Sequence, residues 1–181
     1  MKDHLIWKEE GSKMMFSCPI FNVEERYCRS PKNYLKTYTI LNATDWSIVI
    51  PVLETEFGKK FVMVRQWRHG AKELSLEFPG GVFEKGESAE EAAKRELQEE
   101  TGYRAGRIEK LGQFNPNPAI MSNQVHLFLA SDLEALSGLS LDEDEYMEVE
   151  TLTLEEILQG LGKPPFIHAL MATALAMFLA K

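Results

Sequence analysis

Trp46 to Leu53, WSIVIPVL, is continuously apolar, the pattern of a strand covered on both faces. The turn-prone TEFGKK leads from it to a second strand, FVMVRQWR, and LSLEF at Leu74–Phe78 is a third, shorter one. Pro51 assigns the first of these strands to an edge or a bulge, because proline has no N–H for a ladder. Pro79-Gly80-Gly81 breaks the third strand into a loop. Upstream, SCPIFNVEERYC and YLKTYTIL are strand-like runs separated by RSPKN, and residues 1–45 are expected to form an antiparallel β appendage. Downstream, strands are expected at Ile108–Phe114, at QVHLFLA and at Met147–Leu152, with the loop NPNPAIMSN between the first two and a short helix after Thr153. Phe166, Ile167, Leu170, Met171, Ala174, Leu175 and Phe178 recur at helical spacing, which gives a final helix with an apolar face.

One helix departs from this simple sorting of apolar from polar. Ser88 with Glu91 three residues on makes a capping box, and Gly102 is a natural C-terminal stop, so the segment between them predicts a helix of about four turns. At roughly 100° per residue, Glu96, Glu99 and Glu100 share an arc with Ala89, Ala92 and Ala93. Lys94, Gln98, Glu90 and Glu91 occupy the other side. The face expected to be buried therefore runs from small apolar residues into carboxylates, which is costly unless positive charge meets them. Oxygen donors at this density suit a hard divalent cation, Mg²⁺ or Mn²⁺, rather than zinc. The helix chemistry alone equally fits a solvated glutamate-rich end with arginine partners.

A chain of 181 residues, 44% of them hydrophobic, suits a globular domain with a real core and a short appendage. Its net charge of −8 counts against a protein whose main task is to hold a nucleic-acid backbone. It leaves room for an anionic small molecule, since a bound metal and a few arginines can reverse the sign locally. The charged start MKDHLIWKEEGSK lacks the apolar run of a signal peptide, and Phe166–Ala180 is too short to span a bilayer, so a cytoplasmic protein without membrane attachment is expected. Cys18 and Cys28 have no metal-ligand spacing and read as thiols in a reducing compartment, a disulfide between them being the other reading. His69 and His126 have no His or Cys partner at metal spacing, and His126, in an apolar strand, reads as a core histidine.

The stretch from Gly81 to Tyr103, GVFEKGESAEEAAKRELQEETGY, matches the Nudix box G-x5-E-x7-R-E-U-x-E-E-x-G-U, with U a bulky apolar residue. Every fixed position agrees: Gly81, Glu87, Arg95, Glu96, Leu97, Glu99, Glu100, Gly102 and Tyr103. The chain thus resembles the Nudix hydrolases. That resemblance implies an α/β fold, an α/β/α sandwich with a mixed β-sheet over residues 46–181, beside the N-terminal β appendage. It also implies a Mg²⁺- or Mn²⁺-dependent pyrophosphohydrolase. Glu96, Glu99 and Glu100 would carry the metal, with the Gly80 carbonyl as a further ligand; a tight turn is the plain reading of that glycine. Glu87 and Arg95 would pair to fix the loop on the helix, a structural role shared by Gly81.

Outside the box, VRQWR, LEFPGG, NPNPAIMSN and LDEDEYMEV resemble the ADP-ribose and nucleoside diphosphate sugar pyrophosphatases. Alternation in VRQWR sets Arg65 and Trp67 on one face and Gln66 and Arg68 on the other. Arg68 fills the group's Q-x-R position, which approaches substrate phosphate; an arginine snorkelling at a strand end is the plain reading. Glu145 matches the loop glutamate expected to reach the metals and activate water, with Glu143 as a nearby substitute, a box glutamate, Glu99 or Glu100, as the other candidate base, and Asp142 and Asp144 as solvated connector. Pro118 matches a substrate-side proline, but Ala119 replaces the usual glycine after it and Ser122-Asn123 replaces a Ser/Thr-Glu pair, which leaves the sugar preference open. Trp46, Tyr27, Tyr38 and Trp67 are unranked candidates for stacking on a base, with core packing as the alternative.

The expected partner is a small nucleoside diphosphate derivative, and the resemblance implies a homodimer through the N-terminal region. Two rival readings stand beside this one. The same chemistry could serve nucleoside triphosphates, dinucleoside polyphosphates or RNA 5′ ends, or the domain could sense ADP-ribose without catalysis. The intact glutamates of the box argue against the silent domain.

Overall fold

The computed structural model describes residues 2–136 and 146–181. Its first compact unit comprises the residues up to Asp45 together with Asn115–Gln124. There β1 (Lys8–Ser17), β2 (Phe21–Arg29) and β3 (Leu35–Ala43) form an antiparallel sheet in that order. β1 was hidden in the sequence because KEEGSKMMFS is charged at one end and exposed along nearly all its length. It pairs with β2 from Lys8↔Arg29 to Ser17↔Asn22, so SCPIFNVEERYC divides into a turn and one strand. The loop Asn115–Gln124 is pinned along β3 by Leu41 N–H to the Ile120 carbonyl (2.7 Å) and Ser122 N–H to the Leu41 carbonyl (3.1 Å). Cys18 and Cys28 are both free thiols.

The second unit comprises Trp46–Phe114 and Val125–Lys181. It contains β4 (Trp46–Thr55), β5 (Gly58–Arg68), β6 (Glu73–Glu77), β7 (Gly80–Val82), α1 (Ala89–Thr101), β8 (Tyr103–Phe114), β9 (Val125–Ala135), β10 (Met147–Leu152), α2 (Leu154–Gly160) and α3 (Ala169–Leu179). The main path of its sheet runs β10-β5-β4-β9-β8, with β6 added to β5 and β7 to β4. β4 and β9 run parallel from Trp46↔Val125 to Pro51↔Ala130, and the other pairs are antiparallel, which makes the sheet mixed. Among the described residues no helix is long and apolar enough to cross a membrane.

The continuous apolarity of β4 has its cause in two cores. Ile48, Ile50 and Val52 join Phe61, Met63, Leu127, Ile157, Met171 and Leu175, while Val49 joins Ala93, Leu97, Phe128 and Ala130. Successive side chains point to opposite faces, so one face packs on α2 and α3 and the other on α1. This is the α/β/α sandwich with a mixed sheet. Leu97 is fully buried in the α1 layer, and truncating such a side chain costs roughly 2–5 kcal/mol.

Three expectations need correction here. β4 is central, not an edge. Its flank opposite β9 is shared, by β7 at Trp46–Ile48 and by β5 at Val52–Thr55. Val49 N–H bonds the Pro79 carbonyl (2.9 Å) on that flank. Pro51, two residues on, points its nitrogen the same way into the change of partner, where a missing N–H breaks no ladder bond. Gly80–Val82 is a short strand rather than loop, held on β4. β8 begins at Tyr103, directly after the Gly102 cap, because its polar first half pairs with β9 through Tyr103↔Ala135 and Arg104↔Glu134.

Candidate active site on the acidic helix

The helix α1 forms as its caps dictate. Ser88 Oγ accepts from Glu91 N–H (3.3 Å), the Glu91 carboxylate accepts from Ser88 N–H (2.9 Å), and Gly102 closes the far end in the left-handed conformation, φ 70°. Ala92, Ala93, Glu96, Leu97, Glu100 and Thr101 are its buried residues. Glu96 is only 9% exposed and Glu100 3%. The exposed face instead holds Lys94 bonded to Glu90 at 2.6 Å. The carboxylates at 96 and 100 therefore do face inward.

What meets them is backbone from β7 and the guanidinium of Arg95. Gly80 N–H donates to Glu100 Oε2 at 2.8 Å. Gly81 leaves room for Glu96: a Cβ there would lie 2.7 Å from Glu96 Cδ. A Cβ on Gly80 would lie 2.9 Å from Ile48 Cα and would also collide with the Ser47 carbonyl, so the two glycines allow β7 to sit between β4 and α1. Arg95 Nη1 donates to Glu96 Oε1 (2.8 Å) and Glu99 Oε2 (3.0 Å), while its other nitrogens hold Glu87 (2.9 and 3.0 Å) and the Val82 carbonyl (3.0 Å). The hydrogen bond from Arg95 is the main reason that the Glu87 carboxyl lies below its ordinary range. Glu87 in turn holds Arg95 raised, against the opposing effect of burial.

Glu87, Arg95, Glu96, Glu99, Glu100, Gly80 and Gly81 thus converge in one place. Among the described residues no three His, Cys, Asp or Glu side chains stand together as a ready-made metal cluster. Glu99 is turned outward, 38% exposed, and it and Glu96 share Arg95. The donor set nevertheless fits a hard cation in kind: two buried carboxylates one helical turn apart, with oxygen donors throughout and space held open by a glycine. Glu143 and Glu145 lie outside the described residues. Pro118 lies in the Asn115–Gln124 loop of the first unit.

Arg68 sits at the end of β5 and is clamped rather than snorkelling. Its Nε and Nη2 donate to Glu77 Oε1 (2.9 Å) and Oε2 (2.6 Å), a bidentate pair. Glu77 is the residue that the sequence reading missed. A lone carboxylate within the apolar LSLEF was the available signal, and at 3% exposure it is among the most buried charges of the chain. Burial pushes Glu77 up, but hydrogen bonding and charge from Arg68, with a smaller contribution from Ser75, leave it below the ordinary value. Nearby, His168 caps α3 by accepting from Leu170 N–H at Nδ1 (3.2 Å), and burial lowers its pKa despite the charge of Glu77. His126 is 8% exposed with its ring 5.2 Å from Phe83, as a core histidine would be. Of the stacking candidates, Trp46 packs on the core, Trp67 is 49% exposed, and Tyr38 meets Trp7 edge-on at 5.5 Å.

The family described as NUDIX domain matches residues 44–172. An ADP-ribose pyrophosphatase of Bacillus subtilis is 41% identical over 111 residues, 61% of this chain and 60% of that protein. A methanol dehydrogenase activator of Bacillus methanolicus matches with the same identity and coverage. The chain therefore spans about three fifths of the length of these two relatives. The ADP compounds hydrolase NudE of Escherichia coli is 29% identical over 130 residues, 71% of this chain and 66% of that one. A crystal structure of an ADP compounds hydrolase superposes with a TM-score of 0.84 at 23% identity, covering 96% of this chain and 92% of the other, a likeness of fold.

Proposed function

The chain belongs to the Nudix family, and from that premise we propose that it is a Mg²⁺- or Mn²⁺-dependent pyrophosphohydrolase of ADP-ribose or nucleoside diphosphate sugars. Water would attack one phosphorus and the P–O–P bond would break, giving a nucleoside monophosphate and a sugar phosphate. The observation that carries the reading is the inward burial of Glu96 and Glu100 against Gly80 and Gly81. A solvated glutamate-rich helix would not pay the cost of desolvating two carboxylates.

Nudix hydrolases generally use divalent metal ions. Glu96, Glu99 and Glu100 would hold such an ion here, with the Gly80 carbonyl as a further ligand, and it would neutralise the diphosphate and acidify water. The chain's own residues have separable tasks. Gly80 N–H fixes one oxygen of Glu100, which sets the direction of that carboxylate. Arg95 ties Glu87 and the Val82 carbonyl to Glu96 and Glu99, so the loop and the helix are held together. Arg68 supplies a planar cation for a phosphate oxygen. Glu145, with Glu143 beside it, or a box glutamate, Glu99 or Glu100, is proposed from sequence as the base. The ADP-ribose pyrophosphatase and ADP compounds hydrolase relatives support the substrate class.

A cytoplasmic homodimer completes the reading. The dimer is supported by the apolar surface of the first unit, where Met14, Met15, Phe16, Tyr34 and Leu35 are each at least half exposed. The deciding experiment incubates purified protein with ADP-ribose, several nucleoside diphosphate sugars and nucleoside triphosphates, with Mg²⁺, with Mn²⁺ and with EDTA. Metal-dependent release of nucleoside monophosphate from the diphosphates is expected. Turnover of triphosphates alone would sink the assignment.

A further inference from the structure

Resting on the hydrolase reading above, we infer that Glu77 is a positioning residue that holds Arg68 for contact with a substrate phosphate. The backbone register sets Glu73, not Glu77, opposite Arg68; Glu77 lies opposite Val64. Arg68 therefore passes over its direct cross-strand neighbour and reaches back along the sheet to a carboxylate on the same face. The β5–β6 ladder is complete without that diagonal bond.

The two partners differ in exposure in the way a positioning pair requires. The Glu77 side chain is 4% exposed and that of Arg68 40%, so an interior carboxylate anchors a cation that reaches the surface. Using both oxygens on Nε and Nη2 fixes the plane of the guanidinium, which a single contact would leave free to rotate. Glu77 also leads through Phe78 and Pro79 to Gly80, whose N–H holds Glu100. One short segment thus anchors both the arginine and a carboxylate of the candidate metal site. Phe78 is itself fixed, its N–H donating to Met171 Sδ at 3.0 Å.

The test uses the full chain as wild type, Glu77→Gln, Arg68→Ala and the double variant, with ADP-ribose binding measured by calorimetry in EDTA. Each single variant is expected to weaken binding about ten- to a hundredfold, and the double variant no further than the worse single one. In the turnover assay with Mg²⁺ the same variants raise KM while kcat stays within about threefold, a split that general loosening of the fold would not produce. Should Glu77→Gln fail to fold, Glu77→Asp keeps the charge, shortens the reach and permits the same comparison. Equal binding by wild type and Glu77→Gln, or losses that simply add in the double variant, would overturn the assignment. Coupled binding losses without any turnover would refute the hydrolase reading and leave the role of Glu77 standing.

Discussion

The amide of Gly80 and the carboxylate of Glu100 meet at 2.8 Å, so a backbone donor from β7 orients a side chain that is 3% exposed on α1. A glutamine at 100 retains an oxygen for that N–H but loses the charge that would bind a cation. Glu100→Gln is therefore expected to unfold at nearly the wild-type temperature while metal-dependent turnover falls about a hundredfold or more, the scale of several kcal/mol of transition-state stabilisation. Wild-type turnover in this variant would refute the metal assignment.

Arg95 is the hub of the loop-to-helix contact, and its side chain, 22% exposed, is only weakly screened from Glu87 at 12%. Arg95→Met leaves those carboxylates without their cation and is expected to lower stability by about 2–4 kcal/mol at neutral pH, read from urea unfolding. The pH dependence follows from the sign of the shift. Glu87 is held below 4.5 chiefly by Arg95, so its contribution is present above that value and is lost as pH falls through the lower folded value. Wild-type stability should therefore decline below about pH 4.5. The decline should be shallower in Arg95→Met, and parallel curves would show that the pairing does not stabilise the fold.

How much of this was legible in the sequence depended on how local each determinant is. The caps of α1 follow from spacing along one helix and the structure agrees; of the three glutamates that the same spacing set on the buried arc, Glu96 and Glu100 turn inward and Glu99 does not. The apolar run of β4 correctly announced two covered faces. Pro51 misled because its tolerance depends on where β7 hands over to β5, a property of pairing between distant segments. β1 was invisible because its residues are exposed, so no burial pattern marks them. Glu77 was overlooked because its meaning comes from Arg68 on a neighbouring strand, whereas Arg68 was singled out without its anchor.

The N-terminal cap offers a control in which stability and chemistry should separate. Ser88 and Glu91 satisfy each other's backbone donors at the exposed start of α1, two turns from Glu96. Ser88→Ala is expected to cost about 1 kcal/mol in urea unfolding, with kcat unchanged. A matching fall in kcat would mean that fraying at the cap is transmitted to the carboxylates.

Adjacent glycines in β7 should respond to the same substitution in opposite ways. At Gly80 an added methyl meets backbone, the Ser47 carbonyl and Ile48 Cα at 2.9 Å, and neither can move without displacing the central strand. At Gly81 the methyl meets the end of a side chain, with Glu96 Cδ at 2.7 Å, and a glutamate can change rotamer. Gly80→Ala is accordingly expected to lose about 1–3 kcal/mol of stability, as overpacking against fixed atoms does. Gly81→Ala should keep most of its stability and instead lose activity, because Glu96 is pushed from its place beside Arg95. Urea unfolding and turnover measured on both variants separate the two effects. Equal behaviour at the two positions would mean that β7 yields as a whole and that Glu96 is not held by the space Gly81 leaves.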